Sequence, residues 1–435
     1  MKTYLLTATA VAASIGAAHT AFAAPAPKHH FGDPVAITPE ITIDPMFDGR
    51  LRYEHVDQPG IEADALTLRI RAGAELQLKP IHVNVLVESE ATLGLVNKYN
   101  ALPFVPVSPN SQRRTGYAVI PDPQNIELNR IQVQYKIKQL TVTLGRQRIN
   151  LDDQRWVGNA GWRQNEQTFD AVRGEGKIGP VTLDGTYSIA QRTIFGEDAL
   201  PRTAFDGNFV FLGAGVKAGT KKAEIAIKGF AYLLDYKLSA QGGALATLNA
   251  DSQTYGARAT AGFALTSKVK LSLAASYARQ SAYKGNPLNY GADYIAAEAG
   301  LAAHGFTLTG GYEKLGSAVS ATGVRRSVQT QMATLHKFNG WADLFLVTPA
   351  NGLQNYYASL AKAFPKIKAL PGLNAAVIYH RFDSDFGGIY DGNELDASLG
   401  FKIGRVTVLA KYADYKARGF GVNTKKGWLQ AEFTY

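Results

Sequence analysis

The chain has 435 residues, 46% of them apolar, with 43 glycines, 21 tyrosines, 20 phenylalanines and no cysteine. Beyond the N-terminal segment no run of about 18 or more apolar residues occurs, which excludes helical membrane spans, and an exported chain without a disulfide must close its structure in another way. The net charge is +10, but the lysines and arginines are scattered through alternating segments, which speaks against a nucleic-acid partner.

Lys2 precedes the small and apolar run "YLLTATAVAASIGAAHTAFA", and Ala21-Phe22-Ala23 forms an A-x-A site, so residues 1–23 read as a cleaved signal peptide. Residues 24–46 read as a periplasmic leader, in which "PAPKHHFGDP" with His29 and His30 is a flexible stretch rather than a metal tract. From Phe47 to residue 435 the chain becomes one series of two-residue periods broken by turns. "FDGRLRYEH" sets Leu51 and Tyr53 against Asp48, Arg50, Arg52 and Glu54. "LTLRIRAGAELQL" sets Leu66, Leu68, Ile70, Ala72, Ala74, Leu76 and Leu78 against Thr67, Arg69, Arg71, Glu75 and Gln77. A strand separates these sets onto two faces, whereas a helix would scatter them.

Continuing the count gives strands near 47–55, 65–78, 81–93, 126–138, 140–149, 168–178, 181–192, 209–218, 222–235, 253–265, 268–280, 291–303, 305–316, 353–363, 373–383, 393–403, 405–417 and 427–435. About 18 strands is an even number, which puts both ends on the periplasmic side. The last stretch, "GWLQAEFTY", alternates to its final position and is expected to pair with the first strand, because an open edge in hydrocarbon leaves backbone groups unsatisfied.

Two features place the apolar face against lipid. Short connections such as "LKPI", "IKQL", "IGPV" and "IGRV" alternate with longer ones, and aromatic residues sit at strand ends (Tyr53, Tyr135, Tyr187, Tyr277, Tyr312, Tyr379, Tyr412, Trp428, Tyr435), as an interfacial girdle requires. The expected fold is all-β, a transmembrane antiparallel β-barrel of about 18 strands, in contact with outer-membrane lipid of a Gram-negative cell.

Three connections exceed turn length, running 96–125, 150–167 and 317–352. The first carries Pro103, Pro106, Pro109, Pro121 and Pro123 with Arg113 and Arg114, and is either a lid over the mouth or a plain surface loop. The others belong to two blocks, "LGRQRINLDDQRWVGNAGWRQNEQTFDAVR" (144–173) and "TLHKFNGWADLFLVTPANGLQNYYASLAK" (334–362). With these blocks the chain resembles the alginate export family of outer-membrane proteins. The resemblance implies a monomeric 18-stranded barrel with an arginine-lined, anion-selective passage for an acidic polysaccharide, and it leaves the cargo open to other anions or small solutes.

Parity points Arg50, Arg52, Arg69, Arg71, Arg130, Arg192 and Arg258 inward, together with Lys228 and Lys270. Arg146, Arg148, Arg155 and Arg163 follow in the first block, and Lys337 in the second. Guanidinium keeps its charge at all working pH values and grips carboxylates through paired donors, so this set is the expected pathway for an anion. The same arginines can instead pair with inward Asp48, Glu54, Glu75, Glu88, Glu90, Asp184 and Glu394 to hold a filled interior. Strict alternation from Leu140 would turn Arg146 and Arg148 toward lipid, so either they sit at the rim or a bulge turns one inward; the bulge is the expected solution. His336, Lys337, Trp341 and Asp343 form either a ring of donors with a stacking face for sugar or a set of packing anchors. No serine elbow, phosphate loop, dinucleotide fingerprint or zinc spacing is present, so the expectation is passive transport, not an enzyme, with no cofactor. The expected partners are an acidic polysaccharide or small anionic solute, outer-membrane lipid and periplasmic export partners.

Overall fold

The computed structural model describes residues 33–104, 112–199, 202–220, 222–237 and 250–434. The expected signal peptide, His29, His30, Pro106, Pro109 and Tyr435 lie outside the described residues. Eighteen long antiparallel strands make the wall: β1 Ile41–Gln58, β2 Ile61–Leu78, β3 Val83–Lys98, β4 Asn125–Lys136, β5 Leu140–Gln147, β6 Thr168–Ile178, β7 Val181–Arg192, β8 Ala204–Gly219 and β9 Ala223–Tyr236. The second half continues with β10 Ser252–Ala264, β11 Val269–Ala282, β12 Gly291–Ala303, β13 Phe306–Leu315, β14 Leu353–Ala363, β15 Asn374–Asp383, β16 Tyr390–Ile403, β17 Val406–Ala417 and β18 Thr424–Thr434.

Each strand pairs with its neighbour in sequence, and β1 pairs with β18 from Asp48↔Thr434 to Asp57↔Lys425, so the sheet closes on itself. Closure removes the free edge that hydrocarbon does not tolerate. Every strand expected from alternation is present. One of the larger boundary shifts is at β1, which begins at Ile41, inside the segment expected to be a leader, and pairs there with Leu78 of β2. Pro45 hides this extension in the sequence: it interrupts the apparent strand pattern, yet here it lies within the strand opposite Ala74. Val35–Ala36 then folds back onto Ile43 and Thr42.

The two faces separate as alternation requires. Leu144, Leu183, Leu212, Ile227, Leu308 and Leu429 are exposed on the outside, and Tyr53, Tyr135, Tyr187, Tyr277, Tyr379 and Tyr412 are exposed with them. Trp428 departs from the expected girdle. It is buried, because it neighbours Leu429 on β18 and therefore faces the interior. The interior is filled. Wall residues Phe209, Phe211, Phe230, Tyr232 and Tyr294 form one cluster with Trp162, Met332, Trp341 and Phe345 from the long connections. A second cluster packs Tyr99, Leu102, Ala118 and Ile120 of the first long connection onto Val56, Ala63 and Ala65 of β1 and β2. The described part of that connection is thus seated on the wall.

Candidate functional site

The second long connection turns into the barrel at Gln147. There the side-chain amide donates to the carbonyls of Thr143, Gly145 and Ala171 at 3.3, 3.2 and 3.0 Å, which ends β5. The loop then crosses the lumen. Against β1 to β3, Arg50 Nη1 donates to the carbonyls of Gly161, Trp162 and Arg163, each at 3.1 Å. Gln164 Nε2 donates to Thr67 Oγ1 at 2.7 Å, and Thr92 Oγ1 donates to Asn165 Oδ1 at 2.7 Å. Arg163 meets Glu54 of β1 at 3.4 Å. On the far side Arg155 forks onto both oxygens of Glu313 on β13 at 2.7 and 3.1 Å, while Asp152 pairs with Lys228 at 3.1 Å and Asp153 with Arg258 at 2.7 Å.

The third long connection locks onto the second. Trp162 stacks on His336 with ring centroids 4.5 Å apart and planes 5° apart, and Arg163 Nη2 donates to Asp343 at 2.6 Å. Lys411 of β17 lies 2.7 Å from His336 Nε2, so that nitrogen accepts from the ammonium and Nδ1–H donates to Asp343 at 2.8 Å. Burial, reinforced by Lys411 and Arg163 and opposed by Asp343, holds the His336 pKa well below its ordinary value. Burial alone would raise Asp343, yet His336, Lys426 and Arg163 hold it well below the usual carboxylate range. Gly340, at φ +83°, lies where a Cβ would collide with the Glu394 carboxylate, so the loop approaches β16 closely only through glycine.

This arrangement decides what the tryptophans do. The Lys411 ammonium sits 3.9 Å from the ring centroid of Trp162 and 3.7 Å from that of Trp341, and Arg52 lies 4.1 Å from Trp162. Trp341 is 2% exposed. Between His336, Lys411 and Arg52 the Trp162 ring is fully engaged, and both residues anchor the loops rather than offer a platform for sugar. Lys411 and Trp428 were not singled out from the sequence as site residues; their inward parity on β17 and β18 is the signal that would have found them.

The arginines expected to form a pathway are mostly held by acceptors. Arg52 pairs with Asp122 at 3.5 Å, Arg130 with Glu88 at 2.6 Å and Arg192 with Glu197 at 3.7 Å. Arg69 pairs with Asp48, Arg71 with Glu90 and Arg148 with Glu166, and Lys337 Nζ donates to the Asp153 carbonyl at 2.8 Å. Arg113 is exposed, and Arg114 braces its own loop by donating to the Tyr99 carbonyl at 3.3 Å.

The expected bulge at the first block is absent from β5, whose pairing with both neighbours stays in register. Arg146 keeps the outward parity of its partner Ile131 and is neutralised by Asp170, directly opposite, at 2.8 and 3.1 Å. Arg148 turns inward because the strand has ended by then. The bulge sits on the adjacent strand instead, where Asn129 of β4 is the extra residue between Glu88↔Arg130 and Ser89↔Leu128 and reaches both Glu88 and Glu166.

Two places gather arginines. Arg50 and Arg69 are direct cross-strand partners that share the Glu432 carboxylate at 3.0 and 3.2 Å, and Arg50 Nε, Arg69 Nε and Arg69 Nη1 are buried without a hydrogen-bond partner among the described residues. Above the locked loops lies a cavity of about 580 Å³, whose described lining includes Arg163, Arg202, Arg325 and Arg326 against the single carboxylate of Asp343.

A closed 18-stranded wall with an apolar outside, loops folded into its bore and charge along the inside defines an outer-membrane channel. The family model for alginate export matches residues 50–387, and the chain belongs to that family. In fold it is similar to three crystal structures, each covering 90% of this chain and 98% of the other. They are the Pseudomonas aeruginosa outer-membrane protein OpdK (12% identity, TM-score 0.64), Acinetobacter baumannii OccAB4 (10%, 0.65) and Pseudomonas aeruginosa OccK9, also called OpdG (12%, 0.66). A comparison with curated proteins finds no match.

Proposed function

We propose that this outer-membrane channel is anion-selective and passes small acidic solutes down their concentration gradient. The observation that carries the reading is the Arg50 and Arg69 pair. Two guanidinium groups directly opposed on neighbouring strands repel each other, Glu432 serves both and Asp48 serves Arg69, and three of their N–H donors still lack a partner among the described residues, which supports an inner wall attractive to anions at this point. Solute size is argued from the locked loops: ion pairs to Glu54 on one wall and Glu313 on the other leave the bore obstructed, which suits single small anions better than a polymer. The reading includes no catalytic step.

Reversal potentials across a planar bilayer with a salt gradient test it. Anion preference is expected in the wild type and should weaken in Arg50→Gln/Arg69→Gln; cation preference in the wild type would overturn the proposal. A second reading, passage of an acidic polysaccharide, is favoured by the family match over residues 50–387. Oligouronates separate the two. Block that deepens with chain length would support the polysaccharide, whereas no dependence on length would support the small solute.

A further inference from the structure

We infer that one arc of the short-turn rim is a docking surface for the anionic phospholipids of the periplasmic leaflet, where lysines hold headgroup phosphates and the apolar side chains beside them enter the acyl boundary. The inference is independent of what the bore passes.

The charge of the arc is read from four consecutive turns, which join β10 to β11, β12 to β13, β14 to β15 and β16 to β17. Over 264–271, 302–307, 361–375 and 401–407 the chain carries seven lysines and arginines and no aspartate or glutamate. They are Lys268 and Lys270, then Lys362, Lys366 and Lys368, then Lys402 and Arg405, and all but Lys362 are exposed. None of the six lysines pairs with a carboxylate among the described residues. The rest of the rim mixes its signs: Glu75 precedes Lys79, Glu175 precedes Lys177, and Lys217 pairs with Glu224 at 2.8 Å. The turns of the arc are also tied to the strands beside them. Ala363 N–H donates to the Gly305 carbonyl and Lys402 N–H to the Pro371 carbonyl, each at 2.8 Å, so these charges stand on a connected backbone rather than on separate loops.

Depth decides the partner. The short-turn end of an outer-membrane barrel faces the periplasm, and in this arc exposed apolar side chains sit among the bases. Leu265 and Ile403 continue the outward parity of Tyr255 on β10 and Leu399 on β16, beside Lys268 and Lys402, and Ile367 lies between Lys366 and Lys368. Such interleaving sets the ammonium groups at headgroup level with acyl chains directly beneath. Lys362 shows the direction. It is the cross-strand partner of Phe306 on the outward face, and its Nζ lies 3.5 Å from the centroid of that ring and donates to the His304 carbonyl at 3.2 Å. The side chain thus runs along the outer wall and carries its charge from the lipid toward the turn, as a snorkelling lysine does. A soluble polyanion would answer the charges and leave Leu265, Ile367 and Ile403 in water, whereas a phospholipid answers both. Basic residues at this depth attract anionic lipid cumulatively, and no acid within the arc subtracts from the sum.

Native mass spectrometry of the full-length barrel in detergent, loaded with phosphatidylglycerol or with phosphatidylcholine of the same chain length, tests the surface. Wild type is expected to retain phosphatidylglycerol and shed phosphatidylcholine. Lys366→Gln/Lys368→Gln/Lys402→Gln should cut the retained phosphatidylglycerol at least about tenfold, whereas Lys138→Gln/Lys177→Gln/Lys222→Gln, which removes the same charge from the mixed part of the rim, should change it by less than about twofold. All six positions are exposed, and heat-modifiable migration checks that each variant is a folded barrel. Equal retention of the two lipids by wild type would overturn the inference, as would an equal loss of phosphatidylglycerol in the two variants. An oligouronate of matched charge that displaces phosphatidylglycerol from wild type and fails to bind the arc variant would overturn it too, because the arc would then serve a soluble polyanion.

Discussion

The outer and inner faces of the same strands answer to different partners. On β2 the outward Leu66, Leu68 and Ile70 meet lipid, and an apolar side chain of almost any shape satisfies that solvent. The inward Thr67, Arg69 and Arg71 of the same strand are buried, and each meets a particular residue: Gln164, Asp48 and Glu90. The outside is therefore specified by a period and the inside by a set of pairings. Substitutions should cost most where pairing is most exclusive, and the two faces should respond differently to pH.

The largest effect is expected at Asp343. Its carboxylate answers Arg163 at 2.6 Å, Lys426 at 3.0 Å and His336 at 2.8 Å, all of them buried. Asp343→Ala leaves those groups without their counter-charge, and breaking a buried pair in this way costs roughly 3–5 kcal/mol. Equilibrium unfolding in detergent micelles measures the loss, and limited proteolysis should cut within 328–345 in the variant before the wall unfolds. A loss below about 1 kcal/mol would mean that the loops are held by packing alone.

The same contrast explains what could be read from the sequence. The 18 strands and their faces were legible because alternation is a local pattern, and one solvent outside enforces it along the whole wall. The locked loops were not. Arg155 finds Glu313 across 158 positions and Arg163 finds Asp343 across 180, and no local period carries such a pairing. The two blocks were recognisable as unusual, and the bland alternative of inward arginines paired with inward acids describes most of what they do. Trp428 was misassigned for an instructive reason. Its place near a strand end suggested a girdle, while its parity, opposite to that of Leu429, already pointed it inward.

A smaller effect should appear on mild acidification. His336 is kept neutral in the folded protein, whereas in the unfolded chain it titrates near its ordinary 6.5. Below that pH the unfolded chain binds the extra proton, so the contribution of His336, complete above pH 6.5, falls by about 1.4 kcal/mol per pH unit, or roughly 2 kcal/mol by pH 5. Asp343 acts in a separate window. With its pKa depressed, its contribution is complete above the ordinary carboxylate value of 3.8 and is lost only as pH falls below it. His336→Gln should lower the slope between pH 6.5 and pH 5 by this one-proton share, about 1.4 kcal/mol per pH unit, whatever it costs at pH 8. An identical slope in both proteins would place the titration on another group.

The smallest effect is expected on the outer face, at Arg146. A charge on the lipid side costs roughly 2–4 kcal/mol at the membrane midplane and close to nothing at the interface. Arg146 keeps outward parity, lies next to the last residue of β5 and is matched by Asp170 opposite and by the Leu128 carbonyl at 3.0 Å. A pair that supplies its own counter-charge at the rim gains little beyond what water or headgroups would give it. Arg146→Gln should therefore change unfolding stability by about 1 kcal/mol or less and leave ion preference as it is, because the side chain does not face the bore. If the variant instead lost anion preference, Arg146 would have to reach the lumen, and the outward assignment drawn from its partner Ile131 would fail.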